Sequence, residues 1–181
     1  TAQDHYLSSL KSNPRSQTSI NGCIQFFIEQ GLNGEEINVL LNKNGVQLKE
    51  NENFYLKLAD SVNVSISPNI NFSLIGVDPR STMLKSINNY GCYEPLMVNK
   101  ILKNVRETDI VYDIGAHIGY YSSIFNNVTK SKKVVSLEPD FYSSNLIRRN
   151  TNGRGIVVNK FIGSESGRNT TTLNDLSSML N

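Results

Sequence analysis

The residues best spaced for chemistry are two carboxylates and two glycines. Asp113 ends the short apolar run Ile110-Val111-Tyr112, and Ile114 stands between it and the glycine turn. Gly115 follows at once, and Gly119 comes four residues later in the segment DIGAHIGYYS. A short strand ending in an acid, then a glycine turn, then a helix start lets a nucleotide-like cofactor lie against backbone at the strand's carboxyl end. A side chain at Gly115 would obstruct that approach, and glycine also adopts turn dihedrals that strain other residues. The spacing departs from the dinucleotide fingerprint G-x-G-x-x-G, because His117 occupies the second glycine position, and no phosphate loop of the G-x-x-x-x-G-K-[ST] type is present. What remains is D-x-G-x-x-x-G. A carboxylate at that strand tip suits a cofactor with a cationic amino-acid end, such as S-adenosylmethionine.

The second carboxylate is Glu138, which ends the apolar run Val134-Val135-Ser136-Leu137 just before Pro139. An acid about 20 positions past the glycine turn, at the next strand tip, is placed to grip a ribose diol. Asp113 alone could instead cap the following helix, but beside Glu138 the ligand reading is the stronger. His117 reads as a loop position rather than a general base. Tyr121 reads as core.

The elements that position these groups follow from periodicity. Apolar residues Ile118, Tyr121, Ile124, Phe125 and Val128 recur at helical spacing, predicting a helix from Ile118 to Val128. A second helix is expected from Phe141 to Asn150, with Arg148 and Arg149 late, where cations suit the helix dipole. Gly155 to Gly163 reads as a third strand. Strand, helix, strand, helix, strand is a parallel α/β pattern.

Taken together, DIGAHIGYYS, VVSLEPD, the helix ending RRN, GSESG, the lead-in Gly91-Cys92-Tyr93-Glu94-Pro95 and the segment Thr171-Thr172-Leu173-Asn174-Asp175-Leu176 resemble the FkbM family of S-adenosylmethionine-dependent methyltransferases. The resemblance covers roughly residues 91 to 176. It implies a Rossmann-like class I methyltransferase fold, a doubly wound α/β sheet. It also implies that Asp113, Gly115, Ala116 and Gly119 face the methionine portion of the cofactor, that Glu138 holds its ribose, and that Ile162 and Gly163 lie near adenine. Glu94 has two readings, as a helix start with Pro95 in the first turn, or as a group at the cofactor's methionine end or the acceptor pocket. Family members mostly methylate oxygen on sugars and other small acceptors. The alternative is a methyltransferase-like domain without catalysis, acting as a structural or assembly module. The family's fourth strand, of K-x-D-x-E-G form, is not reached by Asn181, so the C-terminal strands are expected in further chain, or a partner subunit is expected to cover the open sheet edge.

Composition narrows the classes. With 181 residues, 38% of them apolar and 19% charged, the chain suits a folded cytoplasmic protein with a real core. A net charge of +2 is too small to argue for a nucleic-acid surface. The one basic cluster, Lys130-Ser131-Lys132-Lys133, reads as a solvated turn. No apolar run approaches the ~18 residues needed to cross a bilayer. Cys23 and Cys92 lack metal-ligand spacing, so thiols and no metal site are expected.

Before the cofactor domain, assigned to residues 79–181, residues 1–78 are expected to form a small α+β segment. Ile20 to Gln30 and Glu35 to Leu41 read as helices. Phe54 to Leu58, Val62 to Ile66 and Asn71 to Val77 read as strands, the last two joined through Ser67-Pro68-Asn69.

Overall fold

The computed structural model describes residues 2–49, 53–130 and 133–180. Ser131 and Lys132 of the basic cluster lie outside that range. The chain divides into two compact units, residues 1–61 with 76–80, and residues 62–75 with 81–181.

The first unit is helical. Helices α1 (Ala2–Ser12), α2 (Gln17–Glu29) and α3 (Gly34–Lys43) bury Leu10, Ile20, Ile24, Phe27, Ile28, Ile37 and Leu41. The α2 and α3 residues recur at three- and four-residue steps, the signature of a helix with one apolar face. Helix starts are fixed locally. Ser16 accepts the Ser19 N–H, and Asn33 and Glu36 form a reciprocal capping box. Phe54 to Leu58, expected as a strand, belong to a 3-10 helix, Asn53–Ala59. Packing overrides strand propensity there, because the Leu56 backbone lies so close to Gly34 that a Cβ on Gly34 would sit 2.7 Å from the Leu56 carbonyl.

The second unit is α/β and holds every expected site residue. It opens with an antiparallel hairpin, β1 (Val62–Ser67) and β2 (Ile70–Leu74), turned at Pro68 and Asn69. The Asn71 side-chain amide donates to the Ser67 and Pro68 carbonyls and fixes the turn. The expected boundary at residue 78 is therefore displaced, since the hairpin belongs to the second unit. Asn150 is one of the ties that hold it there. Its side chain accepts the Ile75 N–H at 2.8 Å and donates to the Ile75 and Ile118 carbonyls at 3.0 and 2.7 Å.

Helices α4 (Thr82–Tyr90) and α5 (Pro95–Asn104) follow, then β3 (Val111–Ile114), α6 (Tyr120–Val128), β4 (Val134–Leu137), α7 (Phe141–Asn150) and β5 (Ile156–Val158). The three strands form a parallel sheet in the order β3-β4-β5, with Asp113 opposite Ser136 and Leu137 opposite Val158. All four β4 residues are buried, as a central parallel strand covered on both faces requires. Alternation sends Ser136 toward α6, where its hydroxyl meets Ser122, while Val135 and Leu137 pack with Val158 and Leu176. Leu176 belongs to α8 (Leu173–Ser178), which Thr172 and Asp175 start with a second capping box.

The third expected strand is broken. Gly155 to Gly163 splits into β5 and a separate piece, β6 (Phe161–Ile162), which pairs with β7 (Thr170–Thr171). The ladder from β4 to β5 ends where the Glu138 N–H donates to the Val158 carbonyl at 3.1 Å. Asn159 turns its side-chain amide onto the Glu138 and Pro139 carbonyls, at 2.8 Å each. Among the described residues, no helix is long and apolar enough to cross a membrane.

Candidate functional site

Parallel strands deliver their carboxyl ends to one side of a sheet, so the loops after β3 and β4 meet there. The turn after β3 is held by the β4 tip: the Gly115 and Ala116 N–H groups both donate to the Leu137 carbonyl at 2.9 Å. Gly115 has φ of +76°, a left-handed value that glycine adopts freely, and a Cβ built on it meets nothing within 4 Å. Its missing side chain therefore faces open space. Gly119, at φ +86°, is different. A Cβ there would lie 3.1 Å from the Ile147 Cα, so this glycine lets α6 approach α7 and does not face the cavity.

Asp113 is half-buried beneath this turn. Ser122 donates its hydroxyl to Asp113 Oδ2 at 2.6 Å and shares a 2.8 Å contact with the Ser136 hydroxyl. Burial pushes the Asp113 carboxyl above its ordinary range, Ser122 opposes that, and the Glu138 charge adds to it. Helix α6 begins after Gly119 with no side-chain cap, so Asp113 does not serve as its cap.

Glu138 is 8% exposed. Its Oε2 accepts the His117 N–H at 2.8 Å and its Oε1 accepts the Asp140 N–H at 2.9 Å. His117 makes the first contact from a left-handed conformation, φ +50°, which costs a non-glycine residue about 1–2 kcal/mol. The two expected carboxylates are thus gathered on either side of one turn. Among the described residues, neither is paired with a cation.

Beside the turn lies a cavity of about 270 Å³, lined by Met83, Tyr93, Asp113, Gly115, Ala116, His117, Ile118, Tyr120 and Tyr121. Its aromatic wall is ordered by hydrogen bonds. The buried Tyr120 hydroxyl donates to the Tyr93 carbonyl at 2.8 Å and accepts the Tyr93 N–H at 2.9 Å. The Tyr121 hydroxyl donates to Glu94. The Glu94 charge raises the Tyr93 phenol, and burial followed by Glu94 raises Tyr121, so both phenols stay protonated donors. Glu94 itself sits at φ +47° before Pro95 and makes no side-chain cap to α5. Pro95 starts the helix as expected; the Glu94 carboxylate turns to Tyr121 instead.

Ile162 and Gly163, expected near adenine, are exposed on the β6 strand and its end and do not line the cavity. Asn159 is the residue from that region that reaches the Glu138 loop. The sequence reading took Tyr121 as core and gave Tyr93 and Ser122 no role of their own. Ser122 carried a legible signal: it stands three residues after Gly119, on the first turn of a helix that must pack over Asp113. No protein-family model, curated protein or solved structure matches the chain.

Proposed function

We propose that the second unit is a Rossmann-like, class I methyltransferase domain of the FkbM type, binding S-adenosylmethionine and methylating a hydroxyl of a sugar or other small acceptor. The observation that carries this reading is the open face of Gly115 in a cavity walled by Asp113, with Glu138 tied to the same turn through the His117 N–H and no cation beside either carboxylate among the described residues. A cationic ligand supplies what that pair lacks. Asp113, at the cavity wall, is placed to attract an ammonium group. Glu138 retains lone pairs for a ribose diol, since a carboxylate offers about four acceptor sites and two are occupied. At about 270 Å³ the cavity falls just below the usual range of ligand sites, about 300–1,000 Å³, a size that suits the amino-acid end of the cofactor rather than its whole length.

The bound cofactor would supply an activated methyl group on a sulfonium leaving group, leaving the protein chiefly to align the acceptor. The phenols of Tyr93 and Tyr121 are engaged with the Glu94 carboxylate and would hold it at the edge of that site. A second reading, a non-catalytic module, draws on the burial of Glu138 and its two backbone contacts, which also describe a structural strut.

Calorimetry with S-adenosylhomocysteine separates the two. Binding by the full chain is expected, and Asp113→Asn is expected to weaken it about tenfold or more, the loss of one charge-assisted contact of roughly 1.5–3 kcal/mol. A folded chain that gives no heat with S-adenosylhomocysteine or S-adenosylmethionine would remove the enzyme reading and leave the module.

A further inference from the structure

A second concavity, about 360 Å³, is lined by Glu94, Pro95, Leu96, Met97 and Lys100. It adjoins the first through the hydrogen bond from Tyr121, a wall residue of the cavity, to Glu94. Three features single it out. Leu96 is 81% exposed and Met97 is 47% exposed, although α5 already buries Val98 and Ile101 on its other face. Met97 and Lys100 are three residues apart, and Leu96 and Lys100 four, so all three share one surface. Glu94 holds a left-handed backbone and leaves the α5 amides uncapped, directing its carboxylate to Tyr121. Strain of that kind collects at functional sites.

We infer that this cleft binds the methyl acceptor, a small hydroxylated carboxylate with an apolar body, and that Glu94 takes the proton from its hydroxyl. The inference rests on the methyltransferase reading above. The charges assign the two ends: Glu94 suits the hydroxyl, Lys100 the anionic group, and Pro95, Leu96 and Met97 the apolar span between them. Five residues of helical rise carry Lys100 about 7–8 Å along the axis from Pro95, with Glu94 one residue before the helix, room for an aromatic ring with a short acidic arm. In the reaction the acceptor oxygen bonds to the methyl carbon as the methyl–sulfur bond breaks. That electron pair stays on sulfur, leaving a thioether, and the hydroxyl proton passes to the Glu94 carboxylate. Tyr121 positions that carboxylate through its hydroxyl.

The test uses the full chain with ¹³C-methyl methionine, saturated with S-adenosylhomocysteine and titrated with 3-(4-hydroxyphenyl)propanoate. The Met97 methyl signal, assigned with Met97→Leu, is expected to move while that of Met179 stays. Lys100→Gln, or replacing the acid by its propanamide, is expected to weaken binding about tenfold. Glu94→Gln is expected to bind the probe nearly as wild type, yet transfer methyl to it at least about a hundredfold more slowly. A Met97 signal that does not respond, or Lys100→Gln binding as wild type, overturns the cleft assignment. Glu94→Gln turning over at the wild-type rate overturns the proton-acceptor role. Absence of S-adenosylhomocysteine binding in the same samples defeats the methyltransferase reading and Glu94's role with it, while the Met97 response still decides the cleft.

Discussion

Gly115 and Gly119 lie four residues apart in one turn, both at positive φ, yet the structure gives them different work. Replacing each with alanine separates ligand approach from packing. At Gly115 the new methyl group meets nothing within 4 Å, so the cost is the left-handed conformation alone, about 1–2 kcal/mol. At Gly119 the same conformational cost applies. In addition the methyl group would lie 3.1 Å from the Ile147 Cα and 3.3 Å from its Cγ1 and Cγ2. Helix α7 must then move by a few tenths of an ångström, an overpacking cost of about another 1–3 kcal/mol. Thermal unfolding followed by circular dichroism should show Gly119→Ala melting clearly below Gly115→Ala, at roughly 2–4 °C per kcal/mol for a chain of this size. Calorimetry with S-adenosylhomocysteine should reverse the order. Gly115→Ala fills the space the ligand would use and should lose binding. Gly119→Ala should retain it at temperatures where the protein is folded. Gly115→Ala binding as wild type would refute the argument that its open face receives the ligand.

Three further outcomes follow from the geometry. Asn150→Leu removes three hydrogen bonds and strands the Ile75 and Ile118 groups they served, so it should lower stability by about 2–4 kcal/mol in urea unfolding, a large effect for one polar side chain. Asp113 keeps its proton in the folded state at pH values where the unfolded chain has lost it, so its contribution to stability falls as pH rises from the ordinary carboxyl range through the raised value. The proposed ligand contact would need the ionised form, so binding should strengthen over that same rise, and Asp113→Asn should flatten both profiles. Asp175 behaves oppositely: the Ser166 and Thr172 hydrogen bonds hold it down to about 2, so its contribution is present above the ordinary range and lost as pH falls through about 2, and Asp175→Asn should abolish that acid step in circular dichroism.

The segments most legible in the sequence are those where local pattern and tertiary packing agree. The β4 run has four apolar or small residues closed by a proline, and α7 has a capping Asp140 with arginines at its end; both appear where periodicity puts them. Legibility fails where a distant partner decides. Phe54 to Leu58 carry strand-forming residues, but the packing against Gly34 makes a 3-10 turn. The run from Gly155 to Gly163 reads as one strand, and only the Asn159 contacts to Glu138 and Pro139 divide it. At the site, Asp113, Gly115 and Glu138 stand out because strand tips and turns have strong residue preferences. Tyr93 and Tyr121 do not, since an aromatic in a loop or on a helix face reads the same whether it packs or binds.

On the proposed reading, Glu138 would meet competing demands from the turn it supports and from the ligand. Its two oxygens accept N–H groups from His117 and Asp140, one from each loop that frames the site. Those contacts aim the carboxylate and hold the turn, and they leave about two of four lone-pair positions free. Glu138→Gln keeps one acceptor oxygen and sets an NH₂ group against the other backbone N–H, two donors facing each other. The unliganded protein should therefore lose about 1–3 kcal/mol. If the free lone pairs hold a ribose diol, S-adenosylhomocysteine affinity should fall as well, by about tenfold or more at a temperature where the variant is fully folded. A strut without a ligand role predicts the first loss and not the second. Loss of stability with wild-type affinity would make Glu138 a support for the turn alone and would leave Asp113 as the carboxylate that selects the ligand.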